Sequence, residues 1–247
     1  MVTTIIKWGF NTALPLVVSS LVAPVVSASA QTKNSIPTIE AITSRMAQAN
    51  ADNQARFRPY IVTRDYKMFG KDREDAKSEV TVNISFAPPN SKSYAIQHAV
   101  GSDLGEIIVR RMLEGELAIE KDSSSIDISG DNYAFHFVRE EDVNGQRCYV
   151  LEMVPKRKDK NLLRGNAWVD AKTYLPDRVE GSFARNPSWW VKNVNMVLLF
   201  GDADGMWLQT ALEATGTVRI LGQATVVSHD VNYEIREAAA ARSSAQQ

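Results

Sequence analysis

Hydrophobic and polar residues alternate along several short stretches of this chain, and two other stretches carry apolar residues at helical spacing. From Glu79 to Phe86, Val80, Val82, Ile84 and Phe86 fall on one side and Thr81, Asn83 and Ser85 on the other. This is the pattern of a strand with one wet face. Arg58–Phe69 precedes it as a β-rich run, and Ser93–Val100 returns as a strand after the break at Pro88-Pro89-Asn90. Over Pro37–Phe57 the period is helical: Ile39, Ile42 and Met46 recur behind Ser35 or Thr38 as candidate caps. A second helix is predicted over Ser102–Lys121, with Ser102 or Asp103 as cap and a stripe of Leu104, Ile107, Ile108, Met112 and Leu117. Arg110, Arg111, Glu114 and Glu116 lie mostly away from that stripe.

Tyr133–Glu180 frames the rest of the chain, because two apolar-rich runs flank Asp142-Val143-Asn144-Gly145 and their register can be tested. A two-residue turn at Asn144-Gly145 would set Phe137 opposite Glu152. A turn with Gly145 as a left-handed bulge residue sets Phe137 opposite Leu151 and Phe135 opposite Met153. The second choice puts Tyr133, Phe135, Phe137, Tyr149, Leu151 and Met153 on one face, and register decides that for every side chain. Ala167–Asp170 and Arg178–Phe183 continue the meander around Lys172-Thr173. Trp189–Phe200 and Met206–Ala214 form a second hairpin about Asp202-Ala203-Asp204-Gly205. The same bulged register pairs Phe200 with Leu208 and Met196 with Leu212. One face then carries Val194, Met196, Leu198, Phe200, Leu208 and Leu212. Thr217–Leu221 and Thr225–Ile235 complete an α+β domain of two helices and roughly nine to eleven antiparallel strands.

Length and charge narrow the class. A chain of 247 residues with 28 Lys and Arg against 29 Asp and Glu has no electrostatic footprint for nucleic acid. Lys7, the apolar run Trp8–Val26 and Ala28-Ser29-Ala30 follow the grammar of a secretory signal peptide over residues 1–30, cleaved after Ala30. Pro15, Pro24 and Asn11 make the alternative, an uncleaved membrane anchor, less attractive. The domain then spans 31–237, and 238–247 reads as a flexible tail. The single cysteine, Cys148, excludes an intrachain disulfide and fits a small hydrophobe in a strand better than a nucleophile. His98, His136 and His229 are scattered outside any metal-ligand spacing, and no nucleophile elbow, phosphate-binding loop or dinucleotide fingerprint is present. Joining Cys148, His136 and Glu152 into a catalytic group fails on register, since Cys148 and Glu152 stand four residues apart on one strand. No catalytic residue, metal site or cofactor is predicted. The basic run Pro155–Lys160 reads as a solvated loop, with contact to anionic lipid or a partner as the alternative.

The order of elements, together with Tyr149-Val150-Leu151-Glu152-Met153-Val154-Pro155-Lys156, Ala167-Trp168-Val169-Asp170 and Leu175-Pro176-Asp177-Arg178-Val179-Glu180, resembles the LolA-like family of outer-membrane lipoprotein-sorting proteins. The resemblance is strongest over Tyr133–Glu180. It implies an incomplete antiparallel β-barrel wrapped around two helices, with an apolar cavity for acyl chains of lipoproteins or lipids. It further implies a periplasmic location and exchange with inner- and outer-membrane transport components. Proteins of this fold also serve as envelope stress sensors, so a non-catalytic binding or sensor module stands beside the carrier. Face assignment names Phe135, Phe137, Leu151, Met153, Met196, Leu198, Phe200 and Leu208 as candidate ligand-binding residues. The helix Ser102–Lys121 would be the lid, through Ile108 and Met112.

Overall fold

The structure, a computed structural model, describes residues 36–219 and 222–236. The expected signal peptide, its cleavage site, the alternative cap Ser35 and the tail 238–247 lie outside the described residues. Within them, helix α1 (Ile39–Gln54) precedes strands β1 (Tyr60–Phe69), β2 (Ala76–Ala87) and β3 (Ser91–Gly101). Helix α2 (Asp103–Glu120) separates these from β4 (Tyr133–Val143), β5 (Gln146–Pro155), β6 (Leu163–Asp170) and β7 (Pro176–Phe183). Strands β8 (Val191–Ala203), β9 (Met206–Val218) and β10 (Gly222–Ile235) follow. Thr217 and Val218 end β9 instead of forming the separate strand expected over Thr217–Leu221.

All ten strands belong to one antiparallel sheet in the order β3-β2-β1-β10-β9-β8-β7-β6-β5-β4. The last strand lies beside the first, and β3 and β4 are the two edges, so the sheet is an incomplete barrel. Residues paired directly across strands share a face. A single row of such pairs crosses the whole sheet: Phe137, Leu151, Ala167, Val179, Leu198, Leu212, Ser228, Tyr66, Val80 and Ala99. Ser228 is its only strongly polar member. Apolar alternation in ten separate strands thus becomes one continuous face.

The helices cover opposite halves of that face. Ile42 and Met46 of α1 pack with Tyr133, Tyr149, Leu151, Met153 and Val179. Ile108, Val109 and Leu113 of α2 pack with Val62, Tyr66, Val80, Val82 and Ile84. Thr38 caps α1, its hydroxyl accepting from Ala41 N at 3.3 Å. At the other end of α1, the Asn53 carboxamide brackets Trp207, donating to its carbonyl and accepting from its N–H at 2.8 Å each. Ser102 caps α2, and Ser78 of β2 binds the Ser102 backbone on both sides, at 3.0 and 3.1 Å. The buried stripe of α2 differs from the expected one. Val109 and Leu113 are inside, whereas Ile107 is 48% exposed.

The hairpins solve their registers by an unexpected device. Phe135 faces Met153 and Phe137 faces Leu151, as the face assignment requires. The turn, however, has two residues: Asn144 and Gly145 both adopt positive φ, 54° and 82°, and Val143 pairs with Gln146. Paired left-handed residues match the strand twist, and the Asp142 carboxylate accepts from Gly145 N at 2.8 Å. An extra residue in β4, Val138, then shifts the ladder by one. The second hairpin uses the same turn, with Asp204 and Gly205 at φ 54° and 84°, but its extra residue, Thr210, lies in the second strand. The shift therefore runs the other way. Phe200 faces Gln209, Leu198 faces Leu212 and Met196 faces Ala214, in place of the expected Phe200–Leu208 and Met196–Leu212 pairs.

One contact controls how closely α2 approaches the sheet. A methyl group at Gly105 would stand 2.2 Å from the Ser78 side chain, while one at Gly115 meets nothing within 4 Å. Gly105→Ala is expected to destabilise the fold by about 1–3 kcal/mol through overpacking. Gly115→Ala should stabilise it by roughly 0.5–1 kcal/mol, the ordinary helix preference. Urea unfolding of the two variants checks both signs on one helix.

Candidate functional site

The ten candidate residues divide between the two halves of the face. Phe135, Phe137, Leu151, Met153, Met196, Leu198 and Phe200 come together in the cluster under α1. Leu151 and Met153 are fully buried; the other five are only partly buried. Ile108, Met112 and Leu208 lie in the other cluster, with β1, β2 and α2. The helix over the β4–β5 hairpin is therefore α1, and α2 covers β2 and β3. The Thr210 bulge sets Leu208 opposite Gly201 in place of Phe200, and Leu208 packs in the half covered by α2.

A polar cluster lies inside the half covered by α2. Arg64 occupies a buried position of β1, between Val62 and Tyr66 on the apolar face. Its guanidinium binds Asp230 at 2.5 Å and Glu116 at 3.2 Å. Lys92 of β3 reaches Glu116 at 3.0 Å and Glu120 at 2.7 Å, and the Tyr233 hydroxyl donates to Asp230. The cluster ties β1, β3 and β10 to the C-terminal half of α2. Buried charges survive when they are paired and hydrogen-bonded, and here each of the three carboxylates faces a cation.

Proton equilibria carry the mark of this pairing. Burial opposes ionisation of Glu116, but Arg64 and Lys92 outweigh it and hold its carboxyl below the usual range. Burial likewise opposes the charge on Lys92, and Glu116 with Glu120 outweighs it, so its ammonium is held above the usual range. Burial pushes the Tyr60 hydroxyl up to about 12.

Glu116 was expected on the solvent side of α2. It is inside because the buried stripe Gly105, Val109, Leu113 continues at helical spacing to Glu116 and Glu120, turning polar in the last turns. Arg64 did have a sequence signal. In Tyr60-Val62-Arg64-Tyr66-Met68 it holds the middle place of a period-two apolar run.

On the opposite face, Cys148 packs with Val150 and Trp168. Its thiol lies 3.3 Å from the Asp177 carboxylate, and burial with that carboxylate pushes its pKa up to about 12. This is the reverse of an activated thiolate. His136 faces Glu152, and Cys148 faces Glu141. Among the described residues no group of His, Cys, Asp and Glu could hold a metal ion, and no helix is long and apolar enough to cross a membrane.

A model of a family described as "Uncharacterized protein" matches residues 112–236, just over half of the chain, and the chain belongs to that family. No curated protein matches the sequence. Several solved structures are similar to it, three of them as follows. A DUF1329 family protein from Desulfovibrio piger is 14% identical, covering 81% of this chain and 94% of its own, with a TM-score of 0.41. An outer membrane lipoprotein-sorting protein domain from Vibrio parahaemolyticus is 13% identical, covering 77% and 91%, with a TM-score of 0.40. A LolA superfamily protein from Nitrosomonas europaea is 12% identical, covering 82% and 96%, with a TM-score of 0.38.

Removing Arg64 leaves Asp230 and Glu116 without their shared cation. Arg64→Met is expected to cost about 3–5 kcal/mol, measured as a fall in the urea midpoint. Because the folded-state pKa of Glu116 lies below its unfolded value, its contribution is present above the ordinary glutamate pKa of about 4. It is lost as pH falls further, toward the folded value. Between pH 5 and 3 the Glu116→Gln variant should therefore lose less stability than the wild type. Cys148 is expected to resist alkylation by iodoacetamide at pH 8 in the native state and to react fully in guanidinium, as read by mass spectrometry.

Proposed function

We propose that this protein is a periplasmic, non-catalytic carrier that shelters the acyl chains of lipoproteins or lipids on their way toward the outer membrane. The observation that carries this reading is the continuous apolar face across the sheet, on which Phe135, Phe137, Met196, Leu198 and Phe200 remain only partly buried. The resemblance of Tyr149–Lys156 and Leu175–Glu180 to the LolA-like family supports it. A carrier needs no reactive group; each methylene moved from water onto such a face contributes about 0.8 kcal/mol. Leu113, Ile42 and Leu151 have no exposed surface, as a closed arrangement in this reading requires. A bound chain would compete with a helix for the same face, and α2, hinged at Ser78–Ser102 and latched by the Arg64 cluster, is the lid of this reading.

The test is lipid content. Purified protein extracted with organic solvent should release co-purified lipid, and a fluorescent fatty acid should bind and be displaced by unlabelled acyl chains. Phe200→Asp and Met112→Glu, with folding checked by circular dichroism, should weaken probe binding about tenfold or more, since each puts a charge against the chain. Glu114→Lys, on the exposed side of α2, should leave it within about twofold. A protein that extracts clean and binds no probe would favour a binding or sensor module of the same fold.

A further inference from the structure

The connections β5–β6, β7–β8 and β9–β10 lie at one end of the antiparallel sheet. There an open cleft of ≈ 650 Å³ is lined by Lys160, Arg185, Lys192, Pro187 and Trp189 among others, with no acidic residue in its wall. Trp189 is 72% exposed, more than any other large apolar side chain among the described residues. The Arg219 guanidinium stands over its ring at 5.3 Å. None of Lys160, Arg185, Lys192 and Arg219 forms an ion pair among the described residues. In a chain of formal net charge -1, this is a local concentration of positive charge around one exposed indole.

The basic run Pro155–Lys160 contributes to this end selectively. Lys156 donates to the Gly130 carbonyl, and Arg157 is held by Asn132, Ser125 and Asp159, so those two cations serve the fold. Lys160 is turned instead to the cleft. The loop bearing Trp189 is anchored from beneath. Trp190 packs into the core cluster of α2, with Arg111 over its ring at 5.8 Å, and its carbonyl accepts from Arg219 N at 2.9 Å. An exposed indole on an anchored loop, encircled by cations that have no ion pair among the described residues, has the chemistry of a membrane interface: tryptophan partitions to the headgroup level and cations to anionic lipid. An open wall of flexible lysine and arginine heads suits a charged surface better than a single small anion, which would need enclosure and fixed donors.

We propose that this end of the sheet, centred on Trp189 and ringed by Lys160, Arg185, Lys192 and Arg219, docks the protein on membranes rich in anionic phospholipid. The docking surface is separate from the apolar face, so vesicle binding and acyl-probe binding can fail independently.

The test is co-sedimentation of the protein with vesicles of phosphatidylglycerol and phosphatidylcholine in equal parts, and with phosphatidylcholine alone. Binding should require the anionic lipid and fall at least tenfold between about 0.05 and 0.5 M salt as surface charges are screened. Lipids brominated on their acyl chains should quench part of the tryptophan fluorescence, and Trp189→Phe should abolish that quenching. The triple variant Lys160→Glu, Arg185→Glu, Lys192→Glu should lose binding at least tenfold. All four side chains are exposed, and unchanged thermal unfolding confirms that each variant is folded. Equal binding to both vesicle types, binding unchanged in the triple variant, or quenching retained in Trp189→Phe would overturn the proposal. So would equal displacement by soluble glycerol phosphate, which marks a small-anion site, or by polyglutamate, which marks an acidic protein partner.

Discussion

A sheet of ten strands with one apolar face presents far more hydrophobic surface than its own edges can hide. It has to curl and it has to be covered, and every other feature of this molecule answers that requirement. Turns and bulges keep each strand's apolar set on the inner side, because a slip of one residue would turn it to solvent. The order of strands places the last beside the first, so the inner face is unbroken from β3 to β4. Two helices divide the covering between them, and α1 could not serve both halves since its sixteen residues span only part of the sheet's width.

The two coverings are held by different physics. α1 rests on apolar contacts with β4–β7 and on the paired hydrogen bonds between Asn53 and Trp207. α2 has an apolar middle, a close-packed beginning at Gly105 and Ser78, and an ionic end at Glu116 and Glu120. Apolar contact tolerates sliding, whereas an ion pair inside a greasy wall does not, since moving one partner leaves the other charged and dry. The Arg64 cluster therefore makes the position of the α2 end specific as well as stable. Parting α2 from the sheet would therefore separate charges as well as methyl groups.

The outer surface is organised differently. Cys148, Val150 and Trp168 form a small apolar patch under the stacked Arg178 guanidinium. Burial, with the Asp177 carboxylate beside it, disfavours the thiolate of Cys148. Consecutive tryptophans divide their labour at the end of the sheet, Trp190 packing inward beneath α2 and Trp189 facing out.

Local patterning determined a good deal by itself. Period-two alternation located the strands, helical spacing located α1 and α2, and the need to keep Phe135, Phe137, Leu151 and Met153 on one face set the first hairpin's register. The device behind that register was not legible, because a wider turn and a tight turn with a bulge at Val138 produce the same pairing. In the second hairpin the bulge fell on the other strand, at Thr210, and nothing local distinguishes the two placements. The place of Arg64 inside the apolar run was readable along β1. The place of Glu116 was not, because on a helix a glutamate beside an apolar stripe faces solvent unless a distant cation draws it in. Arg64 and Lys92 lie 52 and 24 residues away in sequence. Which helix covers which half, and which charges meet beneath it, are relations between segments far apart in the chain, so only the tertiary structure decides them.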